Sequence, residues 1–210
     1  MDINIALIVI IALNAIISYK GFNDREFFRK YEFHIGSIRA GEQYRMITSA
    51  FLHADIMHLG LNMFTLYMFA PIVVFYLGTF GFLLVYLVSL VAGSLLTLYF
   101  HKNDYWYRAI GASGAVMGIL FSAILLEPEM KINYFIPGYL FGIGYLLFSI
   151  YGMKAKNDNI GHVAHFGGAI GGLAVTLTRN PALLQEETFV VVLLIIPIVI
   201  LFVMSKMGKL

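Results

Sequence analysis

GASGAVMGILFSAILL, residues 111–126, carries no charge and runs straight into Glu127-Pro128-Glu129. Its opening Gly111-Ala112-Ser113-Gly114 is a poor helix interior, because glycine loses more backbone freedom on ordering than any other residue. The helix is therefore expected to start near Ser113 and end near Leu126. Fourteen residues rising about 1.5 Å each cover about 21 Å, short of a hydrocarbon layer roughly 30 Å thick. If the far end reaches the opposite interface, Ser113 lies roughly 10 Å below the near surface, on a loop that dips into the bilayer. Irregular backbone at that depth is tolerated only where protein or water encloses it. A serine at such a point can simply cap the helix, and other polar residues must decide whether it does more.

The rest of the chain fits that setting. Of its 210 residues 60% are hydrophobic and 12% charged, with mean hydropathy +0.83, which excludes a soluble globular domain. A net charge of +2 without a basic block argues against nucleic acid as a partner. With no cysteine there is no disulfide, thiolate metal site or cysteine nucleophile. Uncharged runs long enough to span lie at Ile3 to Tyr19, Ile56 to Leu77, Phe80 to Phe100, up to Leu126, Ile132 to Gly152, Ile160 to Thr178 and Thr188 to Met204. The first has Asp2 where a signal peptide carries positive charge and no clear cleavage site, so it reads as a retained helix. Punctuation falls between the runs at Gly78, Glu127 to Glu129, Lys154 to Asp158 and Asn180-Pro181. The expected fold is an all-α membrane protein, a polytopic bundle of seven helices in the lipid bilayer. The one long connection, Lys20 to Asp55, is too aromatic for a flexible linker and reads as an interfacial or site-framing segment, with 38–52 as a folded lead-in to the second helix.

No Asp, Glu, Lys or Arg lies within a span, which argues against a proton-coupled transporter. His58 and Asn62 in the second helix, Ser113 in the fourth and His165 in the sixth remain, with scattered Ser, Thr, Tyr and Asn14. Helices two, four and six start on the same face. Counting from Ile56 and Ile160 puts Asn62 and His165 roughly 8 to 9 Å deep, close to Ser113. His58 and Asn62, four apart, share a helix face. Gly114 and Gly118 on one helix, and Gly168 and Gly172 with Gly167 and Gly171 on the other, allow close approach of helices four and six. That approach would bring Ser113 within hydrogen-bond reach of the His165 imidazole.

These residues resemble the rhomboid intramembrane serine proteases. Gly111-Ala112-Ser113-Gly114 is similar to the family's GxSG motif, and Ala164-His165-Phe166-Gly167-Gly168 with Gly172 to its AHxxGxxxG. Arg45, His53, His58 and Asn62 match the order and spacing from the first loop into the second helix. The resemblance covers about 1–178 and implies a rhomboid-like core of six helices with a linker and a seventh helix in 179–210, the six-plus-one form. It implies that Ser113 is the nucleophile and His165 the general base, then general acid. His58, Asn62 and the Ser113 backbone N–H would form the oxyanion hole, while Arg45 and His53 hold the loop and Gly111, Gly114, Gly168 and Gly172 shape the motif. The residues themselves agree on a dyad, since no span holds an Asp or Glu to orient the imidazole. No cofactor or metal is implied. Two departures stand out: Tyr44 where the family often has Trp, and Met117 where an aromatic commonly packs on the histidine, which leaves the ring less firmly held.

The other readings are a catalytically inactive relative that binds membrane proteins, and a metal or haem protein using His53, His58, His162 and His165. As a protease, the expected partners are single-pass transmembrane proteins, cut near the leaflet boundary where Gly, Pro or polar residues weaken the helix. Entry is expected between helices two and five, with 134–144 (Pro137, Gly138, Gly142, Gly144) as a movable gate. The expected location is the plasma membrane of a prokaryote. Twelve of the fourteen Lys and Arg lie on the face of Ser113, all but Lys131 and Arg179. The positive-inside rule turns that face to the cytoplasm, whereas the resemblance implies the opposite side, and the latter is adopted here.

Overall fold

The computed structural model describes residues 4–132, 134–155 and 161–210. Ile3 and Ile160, the expected first residues of two helices, lie outside them, as do Asp2 and positions 156–158 of the expected turn. The helices are α1 (Ile5–Asn23), α2 (Arg25–Tyr31), α3 (Ile35–Arg39), α4 (Arg45–Thr48), α5 (Ile56–Phe100), α6 (Ser113–Leu126), α7 (Gly138–Ala155), α8 (His162–Arg179), α9 (Leu183–Glu186) and α10 (Thr188–Lys206). The two-residue strands β1 (Phe33–His34) and β2 (Arg108–Ala109) pair antiparallel, as do β3 (Lys131–Ile132) and β4 (Ile136–Pro137).

Local chemistry sets the ends. The Asn4 side chain caps α1 by accepting from the Ala6 N–H, and Asp55 caps α5 by accepting from His58 N–H at 2.8 Å. Helix α5 is two arms joined at Gly78, whose φ of 72° and ψ of 173° suit a residue without a Cβ. The chain reverses there, since Ser94 Oγ donates to the carbonyl of Met46, just upstream of the helix start. The fifth expected helix begins six residues later than Ile132. Pro137 has no N–H and disfavours helical backbone before it, so Lys131–Ile132 and Ile136–Pro137 pair as the β3–β4 hairpin, with Tyr134 between them at φ 68°. The Gly138 N–H then donates to the Met130 carbonyl at 2.8 Å.

Helix α6 starts and ends where the sequence places it, and every residue from Gly114 to Leu126 is buried. Helices α5 and α8 close around it, with Leu66, Phe82, Ile119, Phe121 and Phe166 in the common core. Among the described residues three helices, α1, α5 and α10, are long and apolar enough to cross a membrane. Only 28%, 33% and 33% of their most apolar windows are buried, so Ile5, Phe64, Phe75 and Val199 face outward, where hydrocarbon must cover them. The molecule is a helical membrane bundle with a short helix at its centre.

The first loop is folded. Phe33, Ile35 and Ile38 form a small core against Met46, Leu98 and Tyr107. Arg45, nearly buried, donates to the carbonyls of Arg29 (2.7 Å) and Glu32 (3.1 Å) and to the Glu42 carboxylate at 2.5 Å, which holds that exposed carboxyl below its usual range. Of the two sequence readings for this segment, site-framing fits its bonds.

Candidate active site

Contacts from the first loop fix the backbone leading to Ser113. Strand β1 pairs with β2 in the register Phe33 to Ala109 and His34 to Arg108, and the buried Glu32 carboxylate is ion-paired with Arg108 and with Arg29. The Gly111 N–H donates to the Ser49 carbonyl at 3.0 Å. The Ala112 N–H donates to His53 Nε2 at 3.3 Å. Gly111 has φ 110°, and a Cβ there would sit 2.9 Å from Cε1 and Nε2 of His58. Only glycine satisfies both the backbone angle and that approach. Ser113 is then the first helical residue, after an Ala112 N-cap that has no capping side chain. Ser113 is partly buried, and its side chain is not the helix cap.

His53 is fully buried, and its bonds define its tautomer. Because Nε2 accepts from Ala112, the proton is on Nδ1, which donates to Ser18 Oγ at 2.8 Å. Ser18 in turn donates to the Phe51 carbonyl at 2.9 Å. Burial pushes the His53 imidazole down to about 3, with nearby His58 adding to the shift and Asp55 opposing it. The ring is neutral at physiological pH.

His58 stands edge-on to His53 with centroids 5.0 Å apart. Its Nδ1 accepts from the Ala54 N–H at 3.4 Å, which leaves the proton on Nε2, the nitrogen beside Gly111. One turn on, Asn62 is buried and gives one amide hydrogen to the His58 carbonyl at 2.9 Å, keeping the second for another acceptor.

The α6–α8 contact brings the two motif helices together. A Cβ on Gly168 would overlap the Gly114 carbonyl, and one on Gly172 the Gly118 carbonyl. A Cβ on Gly114 would lie 3.3 Å from the carbonyl of Ala164. Ser113 and His165 are thus the immediate neighbours of a touching pair. Gly167 and Gly171 serve a different partner, packing on Gly93 and Ser89 of α5. His165 follows Ala164 directly in α8. The imidazole is 2% exposed, and its Nδ1 lies 3.3 Å from the hydroxyl of Tyr145 on α7. A small cavity beside Ser113 is lined by Ser49, Gly93, Thr97, Gly111 and Ala164. The four histidines fall into two pairs, His53 with His58 and His162 with His165, the latter 6.0 Å apart between centroids.

Sequence reasoning missed Ser18, Ser49, Glu32, Arg108 and Tyr145. Ser18 and Tyr145 lie 35 and 20 residues from the histidines they touch, so neither belongs to a local motif.

The family model for the Rhomboid domain matches residues 40–182. The mitochondrial RHOMBOID-like protein 12 of Arabidopsis thaliana is 29% identical over 181 residues, covering 77% of this chain and 54% of that protein. YdcA of Bacillus subtilis, named as a candidate rhomboid protease, is 35% identical over 136 residues, or 65% of this chain and 67% of that protein. The mitochondrial Rhomboid protein 1 of Saccharomyces cerevisiae is 32% identical over 136 residues, 61% of this chain and 39% of that protein. The chain therefore spans about half or less of the length of the plant and yeast relatives.

Proposed function

Because the chain belongs to the rhomboid family, its residues 40–182 matching the domain, we propose that it is an intramembrane serine endopeptidase working through Ser113 and His165. The observation that supports this reading is the contact of Gly114 with Ala164, the residues next in sequence to the proposed nucleophile and base. Ser113 Oγ attacks the scissile carbonyl carbon while its proton passes to His165 Nε2. The same nitrogen then returns the proton to the leaving amine, and water repeats the sequence on the acyl-enzyme. Hydrogen bonds between such partners are often long before substrate arrives. Nε2–H of His58, the free amide hydrogen of Asn62 and the Ser113 N–H, which at the first helical position has no intrahelical acceptor, would receive the oxyanion. Arg45 and His53 act through the loop.

The catalytic core is 1–178, with the six-plus-one helix count, and 179–210 adds a linker and the seventh helix. Substrates are single-pass membrane proteins, bound between the 56–77 arm of α5 and α7. The site opens to the non-cytoplasmic side of a prokaryotic plasma membrane, which the accessibility of single cysteines introduced into this Cys-free chain tests. The activity itself is tested on purified protein with a serine-directed fluorophosphonate and a membrane-anchored substrate. Ser113→Ala and His165→Ala are each expected to abolish cleavage with the fold intact. Cleavage retained by Ser113→Ala would remove the assignment, and a wild type that binds substrate without labelling would identify an inactive relative.

A further inference from the structure

A histidine that takes a proton at Nε2 must already hold one at Nδ1, and that proton needs an acceptor to fix the tautomer and the ring plane. No apolar span of the sequence holds an Asp or Glu, and Met117, one turn after Ser113, offers a flexible thioether. The place is filled from another element. Tyr145 sits on α7 one turn beyond Gly142, which packs on Ile124 of α6 (3.1 Å from a Cβ placed there) and on Leu194 of α10 (3.3 Å). That seat brings the phenol ring to 5.4 Å from the His165 ring, tilted by 46°, and its hydroxyl to 3.3 Å from Nδ1.

We propose that Tyr145 is a positioning residue of the catalytic histidine: its Oη accepts the Nδ1–H of His165, which turns Nε2 and its lone pair toward Ser113. The proposal rests on the protease reading. During attack the Ser113 proton moves to Nε2 as Oγ bonds the carbonyl carbon. The Nδ1 proton stays on the ring, and its bond to the phenol oxygen supports the imidazolium until Nε2 passes its proton to the leaving amine. Tyr145 never exchanges a proton with substrate. Because its helix also borders the proposed substrate entrance, a displacement of α7 would draw the phenol away from the imidazole. Dyad geometry and gate position are then one coupled property.

The test compares wild type, Tyr145→Phe, which keeps the ring and loses only the hydroxyl, and Tyr145→Ala. Nitrogen NMR of protein carrying 15N-histidine reads the His165 tautomer, and kcat, KM, labelling of Ser113 by the fluorophosphonate and Tm are measured alongside. Expected are the Nδ1–H form in wild type and a mixture of tautomers in Tyr145→Phe. Tyr145→Phe should lower kcat and labelling roughly tenfold, the size of one neutral hydrogen bond, with KM and Tm unchanged. An Nε2–H wild type, or a Tyr145→Phe protein with unchanged tautomer and kcat, overturns the proposal. Loss confined to Tyr145→Ala and accompanied by a lower Tm would make the residue a packing element only, and overturns it equally. A wild type that shows the Nδ1–H form but no Ser113-dependent labelling would sink the protease reading while leaving the contact standing.

Discussion

At Gly111 a positive φ, a bond from its N–H to Ser49 and the edge of the His58 ring meet in one residue. Gly111→Ala must strain the backbone by about 1–2 kcal/mol and push His58 off its position. Turnover is expected to fall at least tenfold, measured as kcat, while KM changes little; a fully active alanine variant would show that His58 does not need this seat. With Asn62 as a proposed oxyanion donor, Asn62→Ala should lower turnover roughly ten- to a thousand-fold. Asn14 is the control. It is also buried but bonds Ile10 and Tyr86, so Asn14→Ala should move Tm without that loss of kcat. Equal effects of both variants on kcat would point to packing in place of catalysis. Ser113, His165, His58 and Asn62 were legible because each sits in a short pattern of neighbours. Ser18 and Tyr145 were not, because an isolated Ser or Tyr in an apolar run looks the same whether it faces lipid or a histidine.

Helix α8 carries two glycine faces a quarter-turn apart, 168 and 172 toward α6 and 167 and 171 toward α5, and so locks between two helices at backbone distance. Gly168→Val should lower Tm by several degrees and abolish Ser113 labelling, because α6 and α8 must separate to admit the side chain. Gly144 on α7 meets nothing within 4 Å of a placed Cβ, so Gly144→Ala should leave Tm unchanged or slightly raised. Equal destabilisation by the two would show that helix propensity, not the contact, sets the cost. The α6 boundaries were readable from Ser113 to Leu126 since glycine and Glu-Pro-Glu bracket the run. The start of α7 was misplaced because Ile132 continues the apolar run while Pro137 forbids the helix from including it. The late start leaves Pro137 in the hairpin and Gly138 as the first helical residue, so the gate proposed at 134–144 is a hairpin turn followed by two helical turns. Cross-linking α7 to the 56–77 arm through paired cysteines should block membrane substrates; undiminished cleavage in the cross-linked protein would rule out that entrance.

One chain of bonds ties distant parts of the molecule to the nucleophile: Ser18 of α1 holds Phe51 and His53 of the first loop, and His53 holds the backbone of Ala112. It is also pH-sensitive. His53 is lowered from the ordinary 6.5 to about 3, chiefly by burial, so between those values the unfolded chain binds the extra proton. Stability therefore falls as pH drops from about 6.5 toward 3, and His34, also lowered chiefly by burial, acts in the same direction. Thermal melts across that range should show a falling Tm. His53→Asn should melt lower at neutral pH, having lost two hydrogen bonds, but with a shallower acid slope; an unchanged slope would remove His53 as the source. The sequence by itself determined the membrane setting, the short central helix and the four polar residues of the candidate site, because apolar run length and local spacing are properties of adjacent residues. Tertiary structure alone decided that a serine of the first helix and a tyrosine of α7 complete the histidines, that the first loop is a folded brace, and that the two glycine faces of α8 divide between α6 and α5. Those outcomes depend on which faces meet across the bundle, and in a uniformly apolar chain no local pattern encodes that choice.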